Sequence, residues 1–600
     1  MKLVERVTGG TGIGGPLSLV AFVVVLLVVP QMLSDYDLFL ATSALIVALM
    51  VQGIGMVTGR AGLIVLSQLG FAAVGAYVFL LMRIHLGGAG FLVAIVVAGL
   101  ATAVVGLLVG LPALRLRGVN LGILTLVFGV TVTVVLTTKG FPGQSKAYFA
   151  DRPDWLVADK SYFYLCGVVF ALTSVAFALL DRTRLGASWL AARRSERATA
   201  ALGRSVARTK TSAFALCALV AGLSGALFVG QQGTVTVESF APVTSLIIFA
   251  VAIMMGARYP EGALLAGALN IFLPVFFDDL NISQNVPNLL FAAGAVIGLL
   301  HGRGAAEDIR HRLGRRFGRT GPELAVASAD VAASGNGAGH GLAVRGPLTV
   351  GATRSDHAAR DVPALEIRNL SMSYRNVRAL SDVTVVVPQG CVTAVIGPNG
   401  AGKSTLIDCV TGFVRDYEGE VRVLGERIDL MPAHMRARHG IRRSFQQDRT
   451  IPELTVERYL RLAMPREASA QTSPEELEDM LAFFDGPHPS RMLASVDVGS
   501  RRVVEVVAAV AARPAVVLLD EPAAGLAAAE SMRLAEQIAA TPARFGPAVL
   551  LVEHDMELVQ AACTEMTVLD FGEVIAAGEP REVLADTKVA KAYLGQEVMA

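Results

Sequence analysis

The stretch "AVIGPNGAGKST" (residues 394–405) runs from an apolar strand through a glycine-rich turn into a helix. Its spacing, Gly397-x4-Gly402-Lys403-Ser404, is that of a complete phosphate loop. Glycines let the backbone N–H groups of Gly397, Pro398–Gly402 and the first helical turn close around phosphate oxygens; proline itself contributes none. Pro398, Asn399, Gly400, Ala401 and Thr405 belong to this cradle with Gly397 and Gly402. Lys403 supplies charge to the β- and γ-phosphates, and the Ser404 hydroxyl suits a Mg²⁺ ligand. About 115 residues downstream, "AVVLLDEP" (515–522) reads as a central strand ending in Asp520, placed to hold the Mg²⁺ shell, with Glu521 suited to polarise water. "LLVEHD" (550–555) is another apolar strand, delivering His554 to its end. A lone strand-end histidine is structural more often than catalytic, so the ordered set of motifs carries the weight. These residues predict an α/β nucleotide-binding domain that uses ATP and Mg²⁺.

The chain leading up to that domain has a different character. Of 600 residues, 53% are hydrophobic and 17% charged, against about 25% charged in soluble domains, so a large part of the chain avoids water. The net charge of +1 offers nothing that would draw nucleic acid. Five scattered cysteines show neither metal-ligand spacing nor a disulfide framework. Apolar runs recur near 16–33, 38–57, 61–82, 88–111, 119–137, 161–180, 212–230, 242–257, 262–277 and 286–301. Most approach the ~20 residues a bilayer-spanning helix needs, which predicts about ten transmembrane helices. The first run has no small-residue cleavage site after it and reads as an anchor, not a removed signal peptide.

With the N-terminus cytoplasmic, ten crossings place Arg115, Arg117 and the basic loop 181–211 inside, and Asp35, Asp37, Glu238, Asp278 and Asp279 outside. The spans hold many glycines and few acidic residues. Small residues let helices approach closely or break around a cavity. The scarcity of acidic groups argues against an ion-coupled carrier. A basic stretch, "RHRLGRRFGR" (310–319), suits a topology anchor or a contact with anionic lipid, and a Gly/Ala/Ser-rich tether follows it. The expected organisation is a polytopic α-helical membrane domain over 1–301, a linker over 302–363 and a P-loop ATPase domain over 364–600.

The second half resembles the ATP-binding cassette family. The resemblance rests on the phosphate loop, on Asp520–Glu521, on His554, on Tyr374 at the position of the adenine-stacking aromatic, and on Gln446 in "SFQQ". In the family that glutamine senses the γ-phosphate and the metal and faces the membrane domain. "EPAAGL" and "VAKAYLGQE" (589–597) look like the ATPase subunits of branched-chain amino acid importers. "GRAGLIVLSQLGFAAVGAYV" (59–78), "LRLRGVNLGILTLVFG" (114–129) and 182–228 look like the permease subunit of the same importers. In that family a loop corresponding to "RRSERATAALG" (193–203) forms a coupling helix on the ATPase, with Glu196, Ala200 and Gly203 at its motif positions.

The family's signature motif departs here. "SVDVGSRRVVEVV" (495–507) keeps Gly499, but Asp497 stands where the family has serine and Ser500 where it often has glutamine. A carboxylate there would repel the phosphate that the motif meets in a dimer. The resemblance implies ATP-driven uptake of branched-chain amino acids at the plasma (inner) membrane by a fused half-transporter. It implies a second permease and ATPase, in a hetero-assembly sooner than a homodimer, and an extracytoplasmic substrate-binding protein. Two alternatives stay open at this point: import of urea, short amides or small organic acids, and an ATP-binding regulatory assembly that hydrolyses weakly.

Overall fold

The computed structural model describes residues 24–86, 90–142 apart from Arg115 and Arg117, 152–301 apart from Gln284, most of 304–309, and 362–597. The start of the first apolar run, the basic stretch 310–319 and most of the tether lie outside them. Two compact units divide the chain: one drawn from 1–194 and 206–321, the other from 195–205 and 322–600.

Among its described residues, the first unit is built of helices joined by turns and irregular stretches, with no strand. A helix over 24–32 precedes α1 (Asp35–Ile54), α2 (Gln68–Leu86), α3 (Phe91–Ala113), α4 (Val119–Lys139), α5 (Asp159–Asp181) and α6 (Arg184–Arg194). After the excursion 195–205, which holds α7 (Glu196–Ala201), come α8 (Val206–Gln232), α9 (Pro242–Met255), α10 (Pro260–Asp279) and α11 (Asn285–His301). Eight of the described spans are long and apolar enough to cross a membrane, and 286–298 adds a shorter apolar helix. Local chemistry sets the ends: Ser34 caps α1 by accepting from the Asp37 N–H, Pro242 opens α9, and Gly256 closes α9 in the left-handed conformation.

The apolar window of α8 is 72% buried, and those of α4, α5, α9 and α10 are only 22–28% buried. The window of α1 with its π-turn is 72% buried as well, so α1 and α8 form the centre of the unit. α8 also packs closely on its neighbours. It is reached through glycine: a Cβ on Gly225 would stand 1.9 Å from the Ala72 carbonyl oxygen, and one on Gly75 would stand 2.4 Å from the Gly222 Cα. Without a hydrophobic drive between helices in lipid, such backbone-to-backbone approach supplies the packing. The outer helices turn leucine and valine outward, as at Leu100, Leu108, Val127, Val134 and Leu172.

The apolar run 61–82 is not one helix. A π-helix (Gly55–Arg60) follows α1, Gly62 takes φ +70°, and residues 62–67 are irregular before α2 begins at Gln68. Irregular backbone at membrane depth needs partners. Thr125 Oγ1 accepts from the Leu66 N–H at 3.0 Å, and Ser245 Oγ donates to the Leu66 carbonyl at 2.8 Å.

In the second unit, β1 (Leu365–Tyr374), β2 (Val377–Val387), β4 (Glu418–Val423) and β5 (Glu426–Arg427) form an antiparallel sheet in the order β2-β1-β4-β5. The other sheet runs β10-β9-β3-β8-β7-β6 and is built from β3 (Val392–Ile396), β6 (Ile441–Arg443), β7 (Val516–Asp520), β8 (Ala548–Val552), β9 (Glu565–Asp570) and β10 (Glu573–Gly578). Its strands are parallel except for β10. β3, β7 and β8 are buried at every position; their sequences are apolar except for Thr393 in β3 and Asp520 at the end of β7. Asp520's strand is not at the centre of the sheet but next to edge strand β6. Helix α12 (Lys403–Thr411) follows the phosphate loop, and α13 (Ala433–His439) precedes β6. α14 (Val456–Ala463), α15 (Arg466–Gln471), α16 (Pro474–Phe483) and α17 (Val498–Ala511) form a helical lobe, and α18 (Ala528–Phe545) precedes β8.

Candidate nucleotide site

The site lies beyond the carboxyl ends of the parallel strands, where an open α/β sheet places ligands. Leaving β3, the chain takes φ +152° at Gly397, +86° at Gly400 and +102° at Gly402. A Cβ on Gly397 would meet the Leu569 carbonyl oxygen at 2.1 Å, so any side chain there pushes the loop off β9. Gly402 leads directly into α12, whose first turn therefore faces the loop. Lys403 folds back so that its Nζ donates to the Gly397 and Pro398 carbonyls, pre-placing the ammonium over the cradle. Burial pulls its pKa below the ordinary lysine value, while Glu521 and Asp520 oppose that shift. Ser404 is exposed beside it.

Asp520 ends β7 as a mostly buried carboxylate. Desolvation raises its pKa, and Arg443, donating to Oδ2 at 3.0 Å, pulls it back. Its N–H donates to Ser444 Oγ. Glu521 follows at φ +47°, a left-handed conformation uncommon for a side-chain-bearing residue. That turn re-aims the carboxylate, and Gln446 Nε2 donates to Glu521 Oε2 at 2.8 Å. Gln446 and Glu521, 75 residues apart, are thus brought together. The oxygens of Ser404, Asp520 and Gln446 are the groups that could hold a divalent cation. His554 sits beyond β8 with its imidazole toward Glu553, Nδ1 to Oε2 at 3.5 Å, and is largely exposed. Tyr374 ends β1 half-exposed.

Asp497 is the N-cap of α17. Its Oδ1 accepts from the Ser500 N–H at 2.8 Å and its Oδ2 from the Ser500 hydroxyl at 2.7 Å. Partial burial raises its pKa, but these hydrogen bonds outweigh that and hold it below the usual aspartate value. The carboxylate therefore occupies both Ser500 donors at the start of this helix.

Residues 195–205 pack with this unit. Ser195 caps α7 by accepting from the Ala198 N–H, and Gly203 takes φ +73°. Arg438 donates to the Gly203 carbonyl at 2.7 Å and Arg442 to the Ala201 carbonyl at 3.0 Å. Two cations thus meet the carbonyl end of α7. Burial, with Arg438 and Arg204 nearby, lowers the Arg442 pKa to about 10. Arg449 Nη1 donates to Ser195 Oγ at 3.0 Å, and Ala198 and Ala201 pack on Phe445. Ala200 is buried, and Glu196 opens the helix.

Sequence reasoning missed the arginines and acids between these parts: Asp408, Arg438, Arg442, Arg443, Arg449 and Glu505. One signal was available. "IRRSF" (441–445) puts adjacent arginines on an edge strand just ahead of Gln446, which an ordinary surface strand does not need.

Comparison with known proteins agrees in both halves. The family model for the branched-chain amino acid transport system permease component matches residues 37–299, and that for the ABC transporter matches 380–524. The branched-chain amino acid transport ATP-binding protein BraF of Pseudomonas aeruginosa is 33% identical over 251 residues, 39% of this chain and 98% of the relative. LivG of Salmonella typhimurium is 30% identical with the same coverage. The lipopolysaccharide export ATP-binding protein LptB of Haemophilus influenzae is 33% identical over 236 residues, again covering 39% and 98%. A solved nucleotide-free ATP-binding cassette aligns at 27% identity and a TM-score of 0.35, over 38% of this chain and 98% of that one. The chain belongs to the ABC transporter family, and it carries a permease component and an ATP-binding, ATP-hydrolysing cassette in one polypeptide.

Proposed function

We propose that the protein is a fused half-transporter that takes up branched-chain amino acids across the plasma membrane at the expense of ATP. One observation carries the reading: the permease model spans 37–299 of the same chain whose cassette is 33% identical to BraF. The cassette alone does not choose between uptake and export, because LptB is equally similar; the permease component decides. The basic loops 181–211 and 310–319 support a cytoplasmic cassette and N-terminus. A second permease and cassette and an extracytoplasmic binding protein complete the assembly, since one chain supplies only one of each half.

The phosphate loop and Lys403 bind and orient the nucleotide, and Tyr374 stacks on adenine. Glu521 accepts the proton of the attacking water, and Gln446 and Arg502, which donates to the Glu521 carbonyl at 3.3 Å, hold it in place. The oxygens of Ser404, Asp520 and Gln446 are hard donors that fit Mg²⁺ arriving with nucleotide. Held there, the cation would supply positive charge to neutralise the phosphates. α7, with Glu196, Ala200 and Gly203, passes the cassette's motion to the permease.

The test is ATPase activity of the complex in nanodiscs with the cognate binding protein and a panel of solutes. Leucine, isoleucine and valine should stimulate hydrolysis. Stimulation by urea, short amides or organic acids alone would move the substrate class, and binding of ATP with no solute response would favour a regulatory assembly.

A further inference from the structure

Between α7 and the nucleotide site runs a line of alternating charges. Arg197 Nη1 lies 3.2 Å from Asp408 Oδ2, Arg443 Nη1 lies 2.5 Å from Asp408 Oδ1, and Arg443 Nη2 lies 3.0 Å from Asp520 Oδ2. Each inner member is shared: Asp408 by two arginines and Arg443 by two carboxylates. The inner three side chains are 6–14% exposed, so solvent does not screen their exchange, while Arg197 at the outer end is 51% exposed. Phe413 lies against both arginines, with the Arg197 and Arg443 guanidiniums 5.4 and 5.9 Å from its ring centre, and Phe445 covers Arg443 from 4.8 Å. Buried charges kept this close persist only when paired, so a change at one end redistributes the pairing along the line.

We propose that Asp408 and Arg443 are positioning residues that link cation binding at Asp520 to the seating of α7. The inference rests on the reading above that Asp520 receives a divalent cation. A cation on Asp520 weakens its hold on Arg443. Arg443 then gives more of its charge to Asp408, and Asp408 gives less to Arg197. Linkage is reciprocal, so loosening Arg197 must ease cation binding at Asp520. Nucleotide loading thus relaxes one fastening of α7, while Arg438 and Arg442 keep the other.

The experiment uses the full chain in nanodiscs with Glu521→Gln throughout, and reads fluorescent ATP-analogue binding as Mg²⁺ is titrated. Asp408→Asn leaves Arg443 to Asp520 alone and should raise the half-saturating Mg²⁺ about threefold to tenfold. Arg197→Ala should lower it about twofold to threefold, and Arg197→Lys should restore it. In an Asp408→Asn background Arg197→Ala should do nothing, because Arg197 acts only through Asp408. An equal effect of Arg197→Ala in both backgrounds would mean a through-space field and overturn the proposal. So would no effect of Arg197→Ala, whose exposed side chain leaves folding intact. Asp520→Asn separates the two readings: if it leaves the Mg²⁺ requirement unchanged, the cation assignment fails, and if it alone shifts the requirement, only the linkage fails.

Discussion

Two acids in the cassette are held in opposite ways, and each makes a prediction. Glu521 is strained at φ +47° and tied to Gln446, so it is aimed but not needed for binding. Glu521→Gln should lower hydrolysis by about 10²–10⁴-fold while ATP affinity stays within a few-fold, measured by turnover and equilibrium binding. Loss of ATP binding would remove Glu521 from its role. Glu505 is buried in α17 and accepts from the Arg449 N–H at 2.9 Å; burial raises its pKa from 4.5 to about 8. The folded state thus holds a proton that the unfolded chain has lost, and this contribution to stability falls as pH rises from about 4.5 through about 8. Glu505→Gln removes that slope. In melting of the full chain in detergent, the parent should lose more Tm between pH 6 and 8.5 than the variant, and parallel curves would contradict the assignment.

Among the elements, α7 and α8 carry the clearest consequences. Arg438→Ala should lower solute transport while ATP hydrolysis persists or rises, since the contact it removes lies on the Gly203 carbonyl and not on nucleotide. Measured together as uptake and phosphate release, equal loss of both would point to a different role for α7. Gly225→Leu should cost about 1–3 kcal/mol or more, because α2 and α8 must separate, and the readout is Tm and monodispersity in detergent. At this scale the legibility of the fold divides along physical lines. The phosphate loop could be read because only glycine tolerates its backbone, and the membrane helices because lipid demands long apolar runs. The polar break at 58–60 was legible, but the irregular backbone of 62–67 was not, because Leu63–Leu66 are as apolar as any helix and the hydrogen-bond partners of Leu66, Thr125 and Ser245, lie 59 and 179 residues away. The ion line was equally hidden, with partners 211, 35 and 77 residues apart.

For the whole molecule, one permease component and one cassette make half of a transporter, and the altered signature bears on how the halves share work. Asp497 engages both Ser500 donors at the start of α17. In the proposed dimer this end would offer a partner's nucleotide a carboxylate in place of hydrogen-bond donors. With an intact signature on a different partner chain, Asp497→Ser should leave basal hydrolysis unchanged or raise it, and in a homodimer it should raise it clearly. Serine is also a good N-cap, so stability should change by only a few tenths of a kcal/mol. A large fall in activity would show that Asp497 does something else. If this chain turns ATP hydrolysis on its cassette into solute movement through its own permease, disabling the phosphate loop must stop uptake. The complex is placed in proteoliposomes with ATP on the cassette side and labelled leucine delivered by the binding protein, and accumulation is compared for the parent and Lys403→Ala. The parent should accumulate leucine only with ATP, and the variant should lose about 10²-fold of that uptake, with insertion unchanged. Accumulation above half the parent's level in Lys403→Ala would contradict this coupling.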